Sequence, residues 1–430
     1  MKNFIKEIHW RGMIHDIIPE TENYLKTEQG VAYVGIDPTA DSLHIGHLVS
    51  VMMLKHFQAA GHKPIVLIGG ATGMIGDPSG KSEERNLLDE NVLKYNQEAI
   101  KKQLSKLLDF DKNSPNSAIM VNNHKWISKY SFLDFIRIFG KHITINYMMS
   151  KDAVKKRISD SSSGGMSFTE FSYQLVQAVD FLYLYEHYNC KLQMGGSDQW
   201  GNMTTGTELI RKKLGQEAYA ITCPLLTKDN DEKFGKTEQG NVWLDPEKTS
   251  PYAFYQFWLN VSDDEVAKYI KIFTLLDEKT INRLTDEHFA ESHKRELQKI
   301  LAKELMLLIH SENDYKIATE ASEVLFGKGT VDILKTLDNK TIENVFEGVP
   351  IHNVNKQLLK KEQNIIDFIS KTTNILPSKN EVRRMLSSNA ISINKIKVNE
   401  NYFISINDVI NDKYIIVQTG KKNYHLVILR

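Results

Sequence analysis

The chain has 430 residues, 41% of them hydrophobic, enough for two or three domains with a large buried core. Lysine plus arginine and aspartate plus glutamate both number 54, so overall charge neither demands nor excludes a nucleic-acid partner. No apolar run approaches the roughly 18 residues of a membrane span, and Met1 to Gly12 holds no signal-like apolar core, so a cytoplasmic protein with no membrane partner is expected.

Val31-Ala32-Tyr33-Val34-Gly35-Ile36 has strand composition, and Pro38 forbids its simple continuation. From Leu48 apolar residues recur at helical spacing until Gly61 supplies a stop. Between strand and helix lies Asp37-Pro38-Thr39-Ala40-Asp41-Ser42-Leu43-His44-Ile45-Gly46-His47. Asp41 or Ser42 is the expected helix cap, and the first-turn amides with the helix dipole suit a phosphate. His44 and His47, three apart, share a face beside Gly46 and can donate to a polyphosphate; two histidines in a first turn also occur as a solvated surface feature.

Pro64-Ile65-Val66-Leu67-Ile68 reads as the next strand, so strand, helix, strand implies a parallel sheet. Gly69 to Ser82 follows. Gly80-Lys81-Ser82 fails as a phosphate loop because Ile75 stands where a glycine is needed, and no Gly-x-Gly-x-x-Gly occurs there. The stretch reads as a substrate-lining turn, with Asp77 for an ammonium group, or as a surface turn. Ser117 to Val121 is a further strand, and Trp126 to Met149, rich in large apolar groups, is either core or a surface for a second subunit. Lys155-Lys156-Arg157 through Gly165 reads as a basic, mobile loop.

Phe168 to Leu182 is apolar enough for a buried helix, yet Tyr173, Gln177 and Asp180 fall at i, i+4 and i+7 on one face. Buried polar groups need partners, so this face is either an internal hydrogen-bond network or the wall of a pocket for a small polar ligand. Cys190 to Met194 is a strand ending in Gly195-Gly196-Ser197-Asp198-Gln199, where Asp198 can accept from ribose hydroxyls at the carboxyl end of a parallel sheet. Tyr219 to Cys223 is another strand. The two cysteines, Cys190 and Cys223, have neither disulfide-framework nor metal-ligand spacing and read as buried thiols. Lys233-Phe234-Gly235-Lys236-Thr237 reads as a lid over phosphates or as a solvated basic turn. Thr249 to Phe326 is mainly helical, and Gly327 to Asn355 reads as a connector. Beyond it come a basic helix at Glu381 to Leu386 and short strands at Ile391 and Tyr414. Residues 379 to 430 carry nine basic against four acidic side chains, a net of +5, which marks a candidate RNA-binding patch.

In order and spacing, these motifs together resemble a bacterial-type tyrosyl-tRNA synthetase over nearly the whole chain. Pro377 to Leu386 resembles an RNA-binding domain shared with a small-subunit ribosomal protein, except that Ser388-Asn389-Ala390 stands where that domain usually has a glycine-rich turn. The resemblance implies an α/β protein. It would have a Rossmann-like parallel-sheet catalytic domain over 1–230 with a dimer-forming insertion at about 124–165, and a mobile lysine loop and helical anticodon-side domain over 231–330. A connector would follow over 331–357, then a small α+β RNA-binding domain over 358–430. It further implies that L-tyrosine and ATP give tyrosyl-adenylate and pyrophosphate, and that tyrosine then passes to the 3′-terminal adenosine of tRNA(Tyr).

Carried onto this chain, His44, His47, Lys233, Lys236 and Thr237 would hold the polyphosphate in the transition state. Tyr33 and Asp180 would bind the substrate phenol, and Asp77, Tyr173 and Gln177 its ammonium group. Gly35, Asp37, Thr39, Gly46, Gly196, Asp198 and Gln199 would line the ATP site with His44, His47 and Lys236, while Lys379, Arg383 and Arg384 would contact RNA. Magnesium is expected with ATP rather than in a protein cage, and a homodimer is implied. Tyr33 and Asp180, matched to a phenol, argue against the tryptophanyl sister enzyme. The missing glycine fingerprint argues against a nicotinamide-dependent dehydrogenase, and the intact histidine and lysine sets argue against a noncatalytic RNA-binding scaffold.

Overall fold

The computed structural model describes residues 3–430 apart from 78, 80–88, 160–165, 227–233, 238–239, 327–336, 347–348 and 421–422, and leaves the side chains of 236, 237 and 323–326 undescribed. The chain divides into two compact units, Met1–Thr249 with Val261–Ile309, and Ser250–Asn260 with His310–Arg430. The helical stretch expected over Thr249 to Phe326 is thereby split between the two. Among the described residues no helix is long and apolar enough to cross a membrane.

The first unit is built on six strands, β1 (Asp16–Ile17), β2 (Val31–Ile36), β3 (Lys63–Ile68), β4 (Ile119–Asn122), β5 (Leu192–Gly196) and β6 (Tyr219–Cys223), in the order β1-β6-β5-β2-β3-β4. All neighbours are parallel except β1, an antiparallel edge of two residues and so too short to show any period in sequence. Strands β2 to β6 are short apolar runs because helices cover a parallel sheet on both faces. β2 pairs with β3 along its whole length, from Val31↔Lys63 to Ile36↔Ile68, but with β5 only at Ala32↔Leu192 and Tyr33↔Gln193. Beyond Tyr33 those two strands part. Chain order reverses at this point, and the carboxyl ends of the strands open a crevice there, as parallel sheets do at such reversals.

The Phe168–Tyr188 helix is started by a capping box in which the Ser167 side chain accepts from the Glu170 amide and the Glu170 carboxylate from the Ser167 amide. Asn189, in left-handed conformation, ends it. Glu170 also lies 3.4 Å from Arg157, both buried. Arg157 therefore does not belong to a basic mobile loop: it sits in a helix, Asp152–Ser159, and is drawn inward because its carboxylate partner is buried too. Residues 160–165 of the expected loop lie outside the described residues. From Trp126 to Met149 the core reading holds in part. Trp126, Phe139, Ile143 and Met148 enter the core, whereas Phe132, Leu133 and Ile145 are 65%, 77% and 64% exposed. A hairpin of β7 (Lys236–Thr237) and β8 (Gly240–Asn241) follows β6. Cys190 and Cys223 are free and buried.

The second unit holds the Pro251–Leu259, Glu312–Phe326 and Asn339–Val345 helices and a sheet with its own core. Its strands are β9 (Ile351–Val354), β10 (Gln363–Asn364), β11 (Ile391–Ile393), β12 (Ile396–Lys397), β13 (Phe403–Ile404), β14 (Tyr414–Thr419) and β15 (Asn423–Leu429). Five of them form a sheet in the order β12-β11-β14-β15-β9, and β10 pairs with β13. The stretch expected as a connector thus supplies, among its described residues, a helix and a strand, and β9 joins β15 in parallel. So short an edge strand carries no readable alternation. The basic helix is Lys379–Ser387, and Asn389, with φ of 57°, takes the left-handed turn after it where a glycine was expected. Asparagine enters that region at small cost, which accounts for the departure at Ser388-Asn389-Ala390.

The Phe168–Tyr188 and Trp200–Leu214 helices cross closely at Gly206, where an added Cβ would lie 2.9 Å from Phe181 Cδ1. Gly206→Ala should therefore lower stability by about 1–3 kcal/mol through overpacking, read as a drop in the thermal midpoint. An unchanged midpoint would show that Phe181 can move aside.

Candidate active site

The helix expected after β2 runs Ile45–Ala59, and its cap is neither Asp41 nor Ser42 but His44. Ser42 is engaged elsewhere: its Oγ donates to the Leu43 carbonyl at 2.8 Å and accepts from Gln103 Nε2 at 3.0 Å and from the Asp245 amide at 3.2 Å. Asp41 pairs with Lys248 at 2.7 Å. The first-turn amides do not form a phosphate cradle either. Ile45 N–H donates to the Val242 carbonyl (3.0 Å), Gly46 N–H to His44 Nδ1 (3.1 Å) and His47 N–H to the His44 carbonyl (2.9 Å). A crossing segment, Val242 to Leu244, has taken the place the dipole argument reserved for an anion.

The imidazoles face the cavity instead. His44 and His47 are stacked with centroids 3.8 Å apart, and His47 Nδ1 accepts from the His44 amide at 3.3 Å. Because Nδ1 accepts in both rings, each neutral ring carries its proton on Nε2, the atom that can donate to an incoming oxygen. Gly46 is required by this packing, since a Cβ there would meet the His44 ring at 2.9 Å.

A cavity of about 580 Å³ lies in the crevice between β2 and β5. It gathers Tyr33, Asp77, Tyr173, Gln177 and Asp180 with Gly35, Asp37, Thr39, His44, Gly46, His47, Gly196, Asp198 and Gln199. At its floor Asp180 is fully buried; its carboxylate accepts from Asn123 Nδ2 and Trp126 Nε1, each at 2.8 Å. Burial pushes this carboxyl up to about 7, against the pull of those two hydrogen bonds and with a smaller push from the charge of Asp37. The buried Tyr33 hydroxyl has no hydrogen-bond partner among the described residues, and burial, with Asp180 nearby, pushes its phenol well above its ordinary value. Gln177 Oε1 and Gln193 Oε1 are also buried without a partner among the described residues. Groups so placed are poised to pair with a polar ligand.

From Asp180 a chain of hydrogen bonds runs up the cavity wall. Asn123 Nδ2 also donates to Thr72 Oγ1 (3.0 Å), Thr72 donates to Asp37 Oδ1 (2.6 Å), and the Tyr173 hydroxyl donates to Asp37 Oδ2 (2.8 Å). A second cluster holds Asp77, which accepts from Gln199 Nε2 (2.7 Å) and from the Ser79 amide (3.0 Å). The polar helix face thus both forms an internal network and lines a pocket, so the two alternatives are one structure.

Lys233 lies outside the described residues, and only the backbone of Lys236 and Thr237 is placed, in β7. Lys379, Arg383 and Arg384 lie in the second unit, on the exposed side of the Lys379–Ser387 helix. Sequence reading missed Asn123, Thr72 and the polar role of Trp126. Asn123 carried one usable signal, an amide side chain one residue beyond the carboxyl end of a parallel strand; Trp126 was hidden among aromatic neighbours.

Residues 25–327 match the family described as tRNA synthetases class I (W and Y), and residues 341–427 match the tyrosine–tRNA ligase SYY-like C-terminal domain. The chain is 60% identical over 429 residues to a tyrosine–tRNA ligase of Parabacteroides distasonis, covering 100% of both. It is 58% identical over 428 residues to one of Porphyromonas gingivalis, covering 99% of this chain and 100% of that one. A C-terminally truncated mitochondrial tyrosyl-tRNA synthetase from Aspergillus nidulans superposes with a TM-score of 0.67 at 31% identity, over 76% of this chain and 95% of that one.

Asp180 also sets a pH dependence. An aspartate in an unfolded chain titrates near about 3.9, so between there and about 7 the folded chain binds the extra proton and stability falls as pH rises. The effect is on the order of a few kcal/mol, complete above the folded value. Asp180→Asn should flatten this slope, measured as urea midpoints of the full chain at pH 5 and pH 8; an undiminished slope would mean that another group titrates.

Proposed function

The chain belongs to the tyrosine–tRNA ligases of class I, and we propose that the residues gathered between β2 and β5 divide the work of that family's reaction as follows. Tyr33 and Asp180 bind the phenol of L-tyrosine. The observation that carries this assignment is the buried Tyr33 hydroxyl without a partner among the described residues, beside a buried carboxylate that Asn123 and Trp126 hold in place. Phenylalanine fits the same space but leaves both buried groups short of a hydrogen bond, which costs more than the contact itself gains. Asp77, Tyr173 and Gln177 take the ammonium group.

In the first step a tyrosine carboxylate oxygen bonds to the α-phosphorus of ATP while the bond from that phosphorus to the bridging oxygen breaks. The electron pair leaves with pyrophosphate. No side chain becomes a nucleophile, so rate comes from positioning and from stabilising charge that grows on the phosphates. Gly35, Asp37, Thr39, Gly46, Gly196, Asp198 and Gln199 line the adenosine side, and His44 and His47, through Nε2, with Lys233, Lys236 and Thr237 hold the polyphosphate. Magnesium enters as part of the ATP substrate. In the second step the 3′-terminal adenosine of tRNA(Tyr) attacks the tyrosyl carbonyl and AMP leaves.

The 358–430 segment takes the tRNA-binding role, with Lys379, Arg383 and Arg384 as phosphate contacts. Lys379 now pairs with Asp367 and Arg384 with Glu381, half-exposed ion pairs that phosphates can replace at modest cost. The catalytic assignment covers 1–230 with the lysine loop that follows it, and the helical part of 231–330 takes the anticodon side of the tRNA. The bacterial relatives and the two free thiols support a reducing, cytoplasmic setting. Phe132, Leu133, Ile136, Ile145 and Met149, large apolar groups left exposed within 124–165, support a homodimer.

ATP–pyrophosphate exchange, assayed with each amino acid in turn and without tRNA, should proceed with tyrosine alone. His44→Asn or His47→Asn should each slow it by about ten- to a hundredfold, the worth of one charged hydrogen bond. Exchange with no amino acid by a folded chain would overturn the assignment. Light scattering at micromolar concentration should give the mass of two chains, and Leu133→Asp should give one; a monomeric mass for the unaltered protein would refute the dimer.

A further inference from the structure

We propose that Trp243 is a positioning residue for His44, holding the imidazole in the orientation in which it meets the polyphosphate; this rests on the role assigned to His44 above. The two residues oppose each other in an isolated antiparallel bridge. That bridge is fixed on either side, by Ile45 N–H donating to the Val242 carbonyl at 3.0 Å and Leu244 N–H donating to the Leu43 carbonyl at 2.8 Å. Residues directly opposite in antiparallel pairing project their side chains to the same face, so the register itself brings indole and imidazole together. Their centroids are 5.8 Å apart and their planes 69° from parallel, an edge-to-face contact.

The indole is in turn held from behind. Lys248 Nζ lies 5.5 Å from the Trp243 ring centroid and 2.7 Å from Asp41 Oδ1, while the Trp243 backbone amide donates to Thr249 Oγ1 at 2.9 Å. Asp41, Lys248, Trp243 and His44 therefore close a ring of contacts that begins and ends in the loop after β2. The His44 ring also stacks on His47, and its Nδ1 accepts from the Gly46 amide. With the indole as a further contact, rotation about the His44 side-chain torsions is restricted and Nε2 keeps one direction. A donor aimed in advance stabilises developing phosphate charge without reorganising during the reaction. The helix amides cannot substitute, because those of Ile45, Gly46 and His47 are already spent within the protein.

The test uses the full chain and four variants, Trp243→Leu, Trp243→Phe, His44→Asn and the double change Trp243→Leu with His44→Asn. Single-turnover tyrosyl-adenylate formation, tyrosine affinity and transfer from preformed adenylate to tRNA are measured for each. Trp243→Leu, which keeps the strand pairing and apolar bulk, should slow adenylate formation about three- to tenfold, the worth of one aromatic contact, with tyrosine affinity and transfer unchanged. Trp243→Phe should restore most of the rate. On the His44→Asn background the leucine change should add nothing, because the indole acts through the imidazole. Multiplying losses in the double variant, an unaltered rate in Trp243→Leu, or parallel loss of tyrosine affinity would overturn the proposal while leaving His44 its role. A wild-type rate in His44→Asn would instead remove the role of His44, and the proposal with it.

Discussion

Everything at the site depends on keeping a carboxylate, Asp180, inside a protein. Burial opposes its charge, and two donors that reach it, Asn123 Nδ2 and Trp126 Nε1, offset that opposition. Those donors are themselves fixed by the fold. Asn123 sits just beyond β4 and its Oδ1 accepts from the Ala71 amide at 2.7 Å, so its side chain has one usable orientation. Trp126 stacks on Tyr183 at 4.2 Å, one turn along the helix that carries Asp180. The carboxylate thus ties β4, the turn after β3 and the Phe168–Tyr188 helix to one point, which lies where β2 and β5 separate.

The backbone amides and the side chains have exchanged the roles that simple helix physics assigns them. A helix start usually offers its amides to an anion, and here a crossing segment takes that of Ile45 while His44 takes those of Gly46 and His47. The imidazoles are left as the donors. This trades a fixed, weak dipole for two titratable groups whose proton location is set by backbone hydrogen bonds to Nδ1.

How much of this was legible follows from how local each signal is. The alignment of Tyr173, Gln177 and Asp180 on one face depends only on helical period, and the strands at Val31, Pro64 and Tyr219 depend only on apolar runs. Those elements are all present. The cap at His44 could not be read because Ser42, the better capping residue by type, is engaged by Gln103 and Asp245, far along the chain. Arg157 looked like a surface cation because its partner Glu170 lies 13 residues further along the chain. β1, β9 and β12 are edge strands of two to four residues, too short for a period to declare itself. Trp243 carried no motif at all; its meaning comes wholly from the residue opposite it. What remained hidden was in each case a pairing between distant stretches, which composition and periodicity do not encode.

On the proposed division of the cavity, the bonds from Gln199 to Asp77 and from Tyr173 to Asp37 cross between its amino-acid side and its nucleotide side. They limit how such a site can change its specificity. A lineage or an engineer seeking to admit a different side chain has independent freedom at Tyr33, whose hydroxyl has no partner among the described residues. The subsite proposed for the ammonium group is different, since any change at Asp77 or Tyr173 removes a hydrogen-bond partner from Gln199 or Asp37, residues assigned above to the nucleotide. Under that assignment side-chain choice can drift at the floor of the cavity, while recognition of the α-amino group stays locked to recognition of the nucleotide.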